Sequence, residues 1–380
     1  MVMPDTKEIF VVAGEASGDA RGVELMSALR KREPSIEFAG VGGPQMRSLS
    51  DGKIIDWIEE AGVVGLWDVL KKYGWFRKQF AMRLDEIASA KPDAVVLIDY
   101  PGFNLRLAKA LRARDPKLRI IYYISPQVWA WNRGRIPKMA KWLDLMLCIF
   151  PFEKELYEKS GLKTVFVGHP MLDSLAAKNV AGARDETLVA LLPGSRRREV
   201  RKIFPVMLET AKRMKRARPD LFFEAAAASE RAASSMRELA VRHGSENLCT
   251  IRVGSAHELM QRAETGMVAS GTATMEAAYF RLPFVLIYRV AWLTWVVGRR
   301  LVRVPFLGMA NLLAGREIVR EFLQEAADPV AIADEMLRLL NDRESRERLV
   351  RDLDGVISKL GEPGAASRAA DAILLELKAG

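Results

Sequence analysis

Leu188-Val189-Ala190-Leu191-Leu192-Pro193-Gly194-Ser195-Arg196, running on through Arg197, Arg198, Glu199 and Val200, decides how this chain is read. A short apolar run stops at Pro and Gly, and a helical pattern follows to about Arg216. The stretch therefore reads as strand, tight loop, helix. A helix start leaves backbone N–H groups without intrahelical partners, and the helix dipole makes that end an anion site. Gly194 lets a phosphate approach the backbone, Ser195 adds a hydroxyl, and Arg196 adds a planar donor fork matched to phosphate oxygens.

A similar unit opens the chain: Ile9 to Ala13, then Gly14-Glu15-Ala16-Ser17-Gly18-Asp19. Between Glu8 and about Gly168, strand-like runs at Ile9–Ala13, Ile36–Ala39, Ala94–Ile98, Leu118–Ile124, Leu145–Ile149 and Thr164–Val167 alternate with helical patterns such as Ala20–Arg32 and Asn104–Arg114. Pro170 to Glu186 has no clear period and reads as a linker. The alternation then restarts at Leu188–Leu192, Leu221–Ala226, Thr250–Val253, Gly266–Ala269 and Phe284–Tyr288. Such a pattern predicts an α/β protein built on mostly parallel sheets. Two starts predict two Rossmann-like domains facing each other across a cleft that takes a nucleotide. The expected halves are residues 1–180 and 186–354. After Pro329 the chain reads as helical to the end, with a break at Gly361–Gly364, and residues 355–380 are expected to return to the first half.

At 380 residues, with 49% hydrophobic and 28% charged residues, the chain is a folded protein of two to three domain lengths rather than a disordered one. Cys148 and Cys249 lie far apart in apolar runs and read as buried free thiols in a reducing compartment. The first residues lack a signal-peptide pattern and no apolar run reaches spanning length, which predicts a cytoplasmic protein. A net charge of +10 and a pI near 9.6 favour an anionic partner, although cations on solvated helix faces give the same total.

Three further stretches carry chemistry. Val95-Val96-Leu97-Ile98 delivers Asp99 to the carboxyl edge of a parallel sheet, where ligands bind in open α/β folds. There Asp99 can act as a general base toward a hydroxyl, or it can simply order the turn before the next helix. Ser125-Pro126-Gln127-Val128-Trp129-Ala130-Trp131 ends another strand, and Gln127, Trp129 and Trp131 either wall a pocket or pack as ordinary aromatics. Ser270-Gly271-Thr272-Ala273-Thr274-Met275-Glu276 repeats the anion-site logic, with Glu276 one turn into a helix and in reach of a ribose; an unliganded N-cap is the plain alternative. The chain lacks a P-loop, a full G-x-G-x-x-G and a paired-His metal motif, and Asp352-Leu353-Asp354 lies in a charged helical run that reads as a solvated face.

Two segments mix large apolar groups with cations: Val63 to Lys78, which includes Val64, Leu66, Trp67, Val69, Leu70, Trp75 and Phe76, and Trp292 to Arg303. Neither can span a bilayer. Both have the composition of interfacial segments on anionic lipid, or of amphipathic helices with snorkelling cations. Nucleic-acid binding fits less well, because the apolar groups come in runs rather than as single stacking platforms.

In combination and order these motifs resemble the bacterial lipid A disaccharide synthases. The resemblance rests on Gly14-Glu15-Ala16-Ser17-Gly18-Asp19, Ile98-Asp99-Tyr100-Pro101 with Phe103-Asn104, Ser125 to Trp131, Pro151-Phe152-Glu153, Gly168-His169-Pro170, Leu192 to Arg196, Ser270-Gly271-Thr272-Ala273 and Asn311 to Glu317, and covers nearly the whole chain. Asn132, Gly102 and Ala310 depart from the family pattern, which commonly has Arg, Asp and Pro there. The resemblance implies an inverting, metal-independent GT-B glycosyltransferase without a cofactor. It would transfer diacylglucosamine from UDP to the 6-hydroxyl of 2,3-diacylglucosamine 1-phosphate. Asp99 would be the base. Gly194, Ser195, Arg196, Ser270, Gly271, Thr272, Glu276 and Asn311 would hold the nucleotide, and Ser17, Gly18, Asp19, Gln127, Trp129 and Trp131 would belong to the acceptor side. Lipid-linked substrates would bring the enzyme to the inner face of the inner membrane, and a homodimer is left open. Another GT-B-type enzyme acting on UDP-GlcNAc, a peptidoglycan glycosyltransferase or an epimerase, would share the phosphate loops but not need Asp99-Tyr100-Pro101.

Overall fold

A computed structural model describes residues 7–61, 72–180, 182–290, 295 and 304–378. Its first compact unit comprises Met1–Pro170 and Leu360–Gly380, and its second Met171–Lys359. The first unit holds seven strands: β1 (Glu8–Ala13), β2 (Glu37–Gly42), β3 (Ile54–Asp56), β4 (Ala94–Ile98), β5 (Arg119–Tyr123), β6 (Leu145–Cys148) and β7 (Thr164–Phe166). All pair in parallel in the order β3-β2-β1-β4-β5-β6-β7. From β1 the chain runs outward to β3 and then returns to β4 on the other side, so the order reverses between β1 and β4. Parallel strands covered on both faces read as continuous apolar runs, and Ala94–Ile98 and Leu145–Cys148 are buried throughout.

The second unit repeats the plan with β8 (Asp185–Leu192), β9 (Phe222–Ala227), β10 (Cys249–Val253), β11 (Ala263–Ala269), β12 (Phe284–Tyr288) and β13 (Glu321–Leu323). These six parallel strands follow the order β10-β9-β8-β11-β12-β13, which reverses between β8 and β11. A reversal of this kind leaves a crevice at the carboxyl ends of the two strands, and open α/β sheets bind ligands there.

Several boundaries differ from the sequence reading, each for a physical reason. The three-residue strands β3 and β13 are too short to show a period. β2 runs through Gly40-Val41-Gly42, because Gly40 passes β1 so closely that a Cβ would lie 2.0 Å from the Val11 carbonyl. The segment after Pro170 is not a plain linker: Met171–Ala176 is a helix packed on Thr272–Tyr279, so the second unit begins at Met171. Its end lies at Lys359, whose Nζ donates to the Leu313 carbonyl.

The last helix, Ala365–Lys378, lies on the first helix, Ala16–Arg32. Arg32 pairs with Asp371 and donates to Ser367 Oγ at 2.5 Å, and Lys163 meets Glu376 at 2.7 Å. Cys148 is buried and Cys249 half-buried, both free. Asp352 and Asp354 pair with Arg316 and Arg281 on the surface. Among the described residues no helix is long and apolar enough to cross a membrane.

Candidate active site

Strand register sets up the first crevice. Ala13 pairs with Ile98, and Ile98 with Tyr123, so β1, β4 and β5 end level. Gly14, Asp99 and Ile124 therefore leave the sheet side by side. Asp99, Tyr100 and Ile124 all have positive φ, at 45°, 49° and 65°. Side chains avoid that region, and a β-branched residue such as Ile avoids it most. The surrounding contacts hold it open. The Asp99 carbonyl accepts from Tyr122 Oη at 2.5 Å and from Asn104 Nδ2 at 2.8 Å, and Asn104 also donates to the Ile98 carbonyl at 3.2 Å. Both Tyr122 and Asn104 are fully buried. Tyr100 donates through its hydroxyl to the Ala61 carbonyl at 2.9 Å, and its ring lies over Gly14, where a Cβ would sit 2.3 Å from it. Gly14 is thus required by packing.

Burial, reinforced by the nearby Glu15 carboxylate and opposed by a bond from the Tyr100 amide, pushes the Asp99 carboxyl up to about 6. A base with that affinity for protons is ionised at neutral pH and better matched to a hydroxyl than an ordinary carboxylate.

The other residues expected in this unit divide sharply. The helix starts at Ala16, four residues earlier than its pattern suggests, so Ser17, Gly18 and Asp19 lie in its first turn. Ser17 is exposed and Gly18 is buried against Ala13. Asp19 is a correction: its carboxylate is buried and accepts from the amides of Gly43, Gln45 and Met46 at 3.0–3.1 Å, holding the start of the next helix. Trp129 is another, since its Nε1 donates to Glu153 Oε1 at 2.8 Å and its ring packs edge-on against Phe152. Gln127 and Trp131 are exposed, with Arg135 stacked 4.9 Å above the Trp131 ring.

Glu153, which sequence reasoning placed only within a motif, is the anchor of this loop. It is fully buried, and burial pushes its carboxyl up to about 7 against bonds from Ser125, Trp129 and the Phe150 amide. Its position three residues into a helix that begins at Pro151 was the available signal.

Of the apolar segment 63–78, Val64, Leu66, Trp67, Val69 and Leu70 lie outside the described residues, as does nearly all of 292–303. Trp75 and Phe76 are described and half-buried. Trp75 packs 5.7 Å from Trp57 and 4.9 Å from Phe76, against the core of the first unit.

In the second unit, Val268 pairs with Leu192, so the turns after β8 and β11 are neighbours. They line one pocket of about 400 Å³, which brings together Gly194, Ser195, Arg196, Ser270, Gly271, Thr272 and Glu276. Gly194 has φ of 95° and Gly271 of 148°. A side chain at Gly194 would meet Glu199 Oε2 at 2.9 Å. Two helices start at this pocket, Arg197–Ala217 and Thr272–Tyr279, neither with a side-chain cap. Residues at both starts line the same pocket, and two helix N-termini at one pocket suit a diphosphate. Arg196 is largely exposed and loosely tied to Glu199 at 3.1 Å. His257, which the sequence reading does not single out, also lines the pocket, with Nε2 3.4 Å from Glu276 Oε2. Its position just after β10 was the missed signal.

Asn311 is a further correction. It is buried, and its amide donates to the Val319 carbonyl and Glu321 while accepting from the amides of Ile318 and Val319, all at 2.8–2.9 Å. Every polar atom of that side chain is used to fold its own loop. Among the described residues no three His, Cys, Asp or Glu gather as a metal site would need.

A family model described as lipid-A-disaccharide synthetase matches residues 9–374. The chain belongs to that family. Lipid-A-disaccharide synthase of Myxococcus xanthus is 38% identical over 381 residues, covering 98% of both chains. The enzyme of that name from Geobacter sulfurreducens is 38% identical and covers 96% of both. Among solved structures, a putative UDP-N-acetylglucosamine 2-epimerase from Listeria monocytogenes aligns over 99% of this chain and 98% of its own, with a TM-score of 0.65 at 14% identity. The calicheamicin glycosyltransferase aligns over 99% of each at 0.59 and 15%. At such identities the likeness shows the shared fold, the double Rossmann architecture of GT-B proteins. Within the lipid-A-disaccharide synthetase family, epimerase activity is not the favoured reading.

Proposed function

We propose that this enzyme joins UDP-2,3-diacylglucosamine to 2,3-diacylglucosamine 1-phosphate, giving the β-1,6-linked tetraacyl disaccharide 1-phosphate and UDP. The observation that carries the chemistry is Asp99, fixed at the carboxyl edge of β4 and raised to about 6. Its carboxylate takes the proton of the acceptor's 6-hydroxyl. The oxygen then bonds to the anomeric carbon of the donor as the carbon–oxygen bond to UDP breaks with its electron pair, inverting that centre. UDP gains negative charge in this step. The amides after Gly194 and Gly271 would be preorganised donors for that charge and Arg196 would add its guanidinium fork, so the proposed reaction needs no metal. Glu276 and His257, 3.4 Å apart in the pocket wall, would meet the ribose.

Both substrates are acylated, so the enzyme would work as a peripheral protein on the cytoplasmic face of the inner membrane, with Val63–Lys78 and Trp292–Arg303 toward anionic lipid. The decisive assay compares turnover of UDP-diacylglucosamine plus acceptor with that of UDP-GlcNAc, with and without chelator. Activity on the acylated pair alone, unaffected by chelator, is expected. Loss with chelator and rescue by Mg²⁺ would overturn the metal-free account. A parallel flotation of the Val64, Leu66, Val69, Leu70→Ser variant should show less binding to anionic vesicles at unchanged Tm. Unfolding of that variant, with no vesicle binding by the parent, would place the segment in the core.

A further inference from the structure

In the first unit the helices Tyr73–Ala90 and Pro101–Arg114 leave an apolar groove of about 390 Å³. Phe76 and Phe80 line it from one helix, Phe103 from the other, and Tyr100 from the turn that precedes the second. Tyr100 follows Asp99 directly, so the groove opens one residue from the base. Two arginines stand at its rim, Arg77 and Arg106, both exposed. On the same two helices Arg83, Arg112 and Arg114 pair with Glu86, Asp144 and Asp85. Among the described residues, Arg77 and Arg106 make no ion pair or hydrogen bond. An aromatic trough takes hydrocarbon, and unpaired guanidinium forks match phosphate oxygens. The combination fits an amphiphile with a phosphate on its polar end.

We infer that this groove holds an acyl chain of the acceptor, with Arg77 and Arg106 taking the acceptor's own phosphate. The assignment rests on the reading of Asp99 as the acceptor's base. Of the two substrates, the donor carries its charge on the diphosphate, for which the second unit supplies two turns. The acceptor keeps a separate phosphate through the reaction, and only the acceptor must lie beside Asp99. Gly102 contributes to the mouth of the groove: a Cβ there meets nothing within 4 Å. Its smallness leaves space for the chain.

The test uses a short-chain, water-soluble acceptor with and without its 1-phosphate, and the Arg77→Gln/Arg106→Gln double variant. For the parent enzyme, removing the phosphate should raise acceptor KM about tenfold or more, the size of a charge-assisted pair. The double variant should show that higher KM for both acceptors, with donor KM unchanged. Gly102→Leu, whose Cβ meets nothing within 4 Å, should raise KM for the acylated acceptor and not for a deacylated one. An unchanged KM for the phosphorylated acceptor in the double variant overturns the inference. So does a variant that keeps this KM but no longer binds phosphatidylglycerol vesicles, because the arginines then serve the bilayer. Asp99→Asn separates the two readings. If it stays active, the base assignment falls; if it is inactive while the arginine variants behave like the parent, only the groove assignment falls.

Discussion

The two units solve the same problem at the same place in the same topology, with opposite residues. At the second unit's crevice the chain turns through Gly194 and Gly271, whose backbones adopt left-handed or extended positive-φ conformations at little cost. At the first unit's crevice it turns through Asp99, Tyr100 and Ile124, which adopt positive φ against steric preference, on the order of 1 kcal/mol or more each. On the proposed reading, the difference follows from what each turn must present. A diphosphate is held by backbone amides, so side chains there are an obstruction. Proton transfer needs a carboxylate at a fixed point, so a side chain must be present and buried polar groups must hold the backbone under it.

The strongest way to break this comparison is Asp99→Asn, which keeps shape and the Tyr100 amide bond but removes the base. Turnover should fall roughly a hundredfold or more, with UDP affinity unchanged. A companion effect sharpens it. Asp99 has a folded pKa raised from 3.8 to about 6, so ionising it costs stability above pH 6. The Asn variant should be more stable than the parent at pH 7, on the order of 1–2 kcal/mol after allowing for partial exposure. That advantage should shrink as pH falls from 6 toward 4 and vanish where both forms are neutral. In the same window the parent's kcat/KM should drop as protons return to Asp99. Thermal melts and initial rates across pH read both, and a parent whose acid limb lies near 4 would contradict the raised base.

Next in size is Gly271→Ala. A Cβ there meets nothing within 4 Å, so its whole cost is backbone strain at a φ of 148°. UDP affinity by titration should weaken about tenfold, the equivalent of 1–2 kcal/mol. Unchanged affinity would mean that the turn does not shape the phosphate site. The smallest effect on turnover is expected from Asn311→Ala. It strips buried amides and a carbonyl of partners and should lower stability by about 2–4 kcal/mol, while the folded fraction turns over at the parent rate. A loss of UDP binding at full stability would return Asn311 to the nucleotide.

The sequence made legible what is continuous along the chain. Four apolar residues ending in Asp99, and apolar runs ending at Gly194 and Gly271, mark buried parallel strands and the turns after them, and all three sites lie at switch points. What escaped depends on partners distant in sequence. Tyr122 reaches the Asp99 carbonyl only because β4 and β5 end level, and His257 reaches Glu276 only when β10 lies in its sheet. Asp19, Trp129 and Asn311 were misread for a related reason. A polar group in a motif looks the same whether it faces a ligand or, as here, bonds to Gly43, Glu153 or Val319.

The return of the last helix onto the first has a consequence for the order in which the molecule is made. Met171–Lys359 is contiguous and can close as soon as it leaves the ribosome. The first unit completes its sheet by Phe166 but waits for Ala365–Lys378 to cover Ala16–Arg32. At about 5–20 residues per second the wait is roughly ten to forty seconds. Through that interval the nascent first unit lacks the helix that covers Ala16–Arg32, so the half synthesised first is the half finished last.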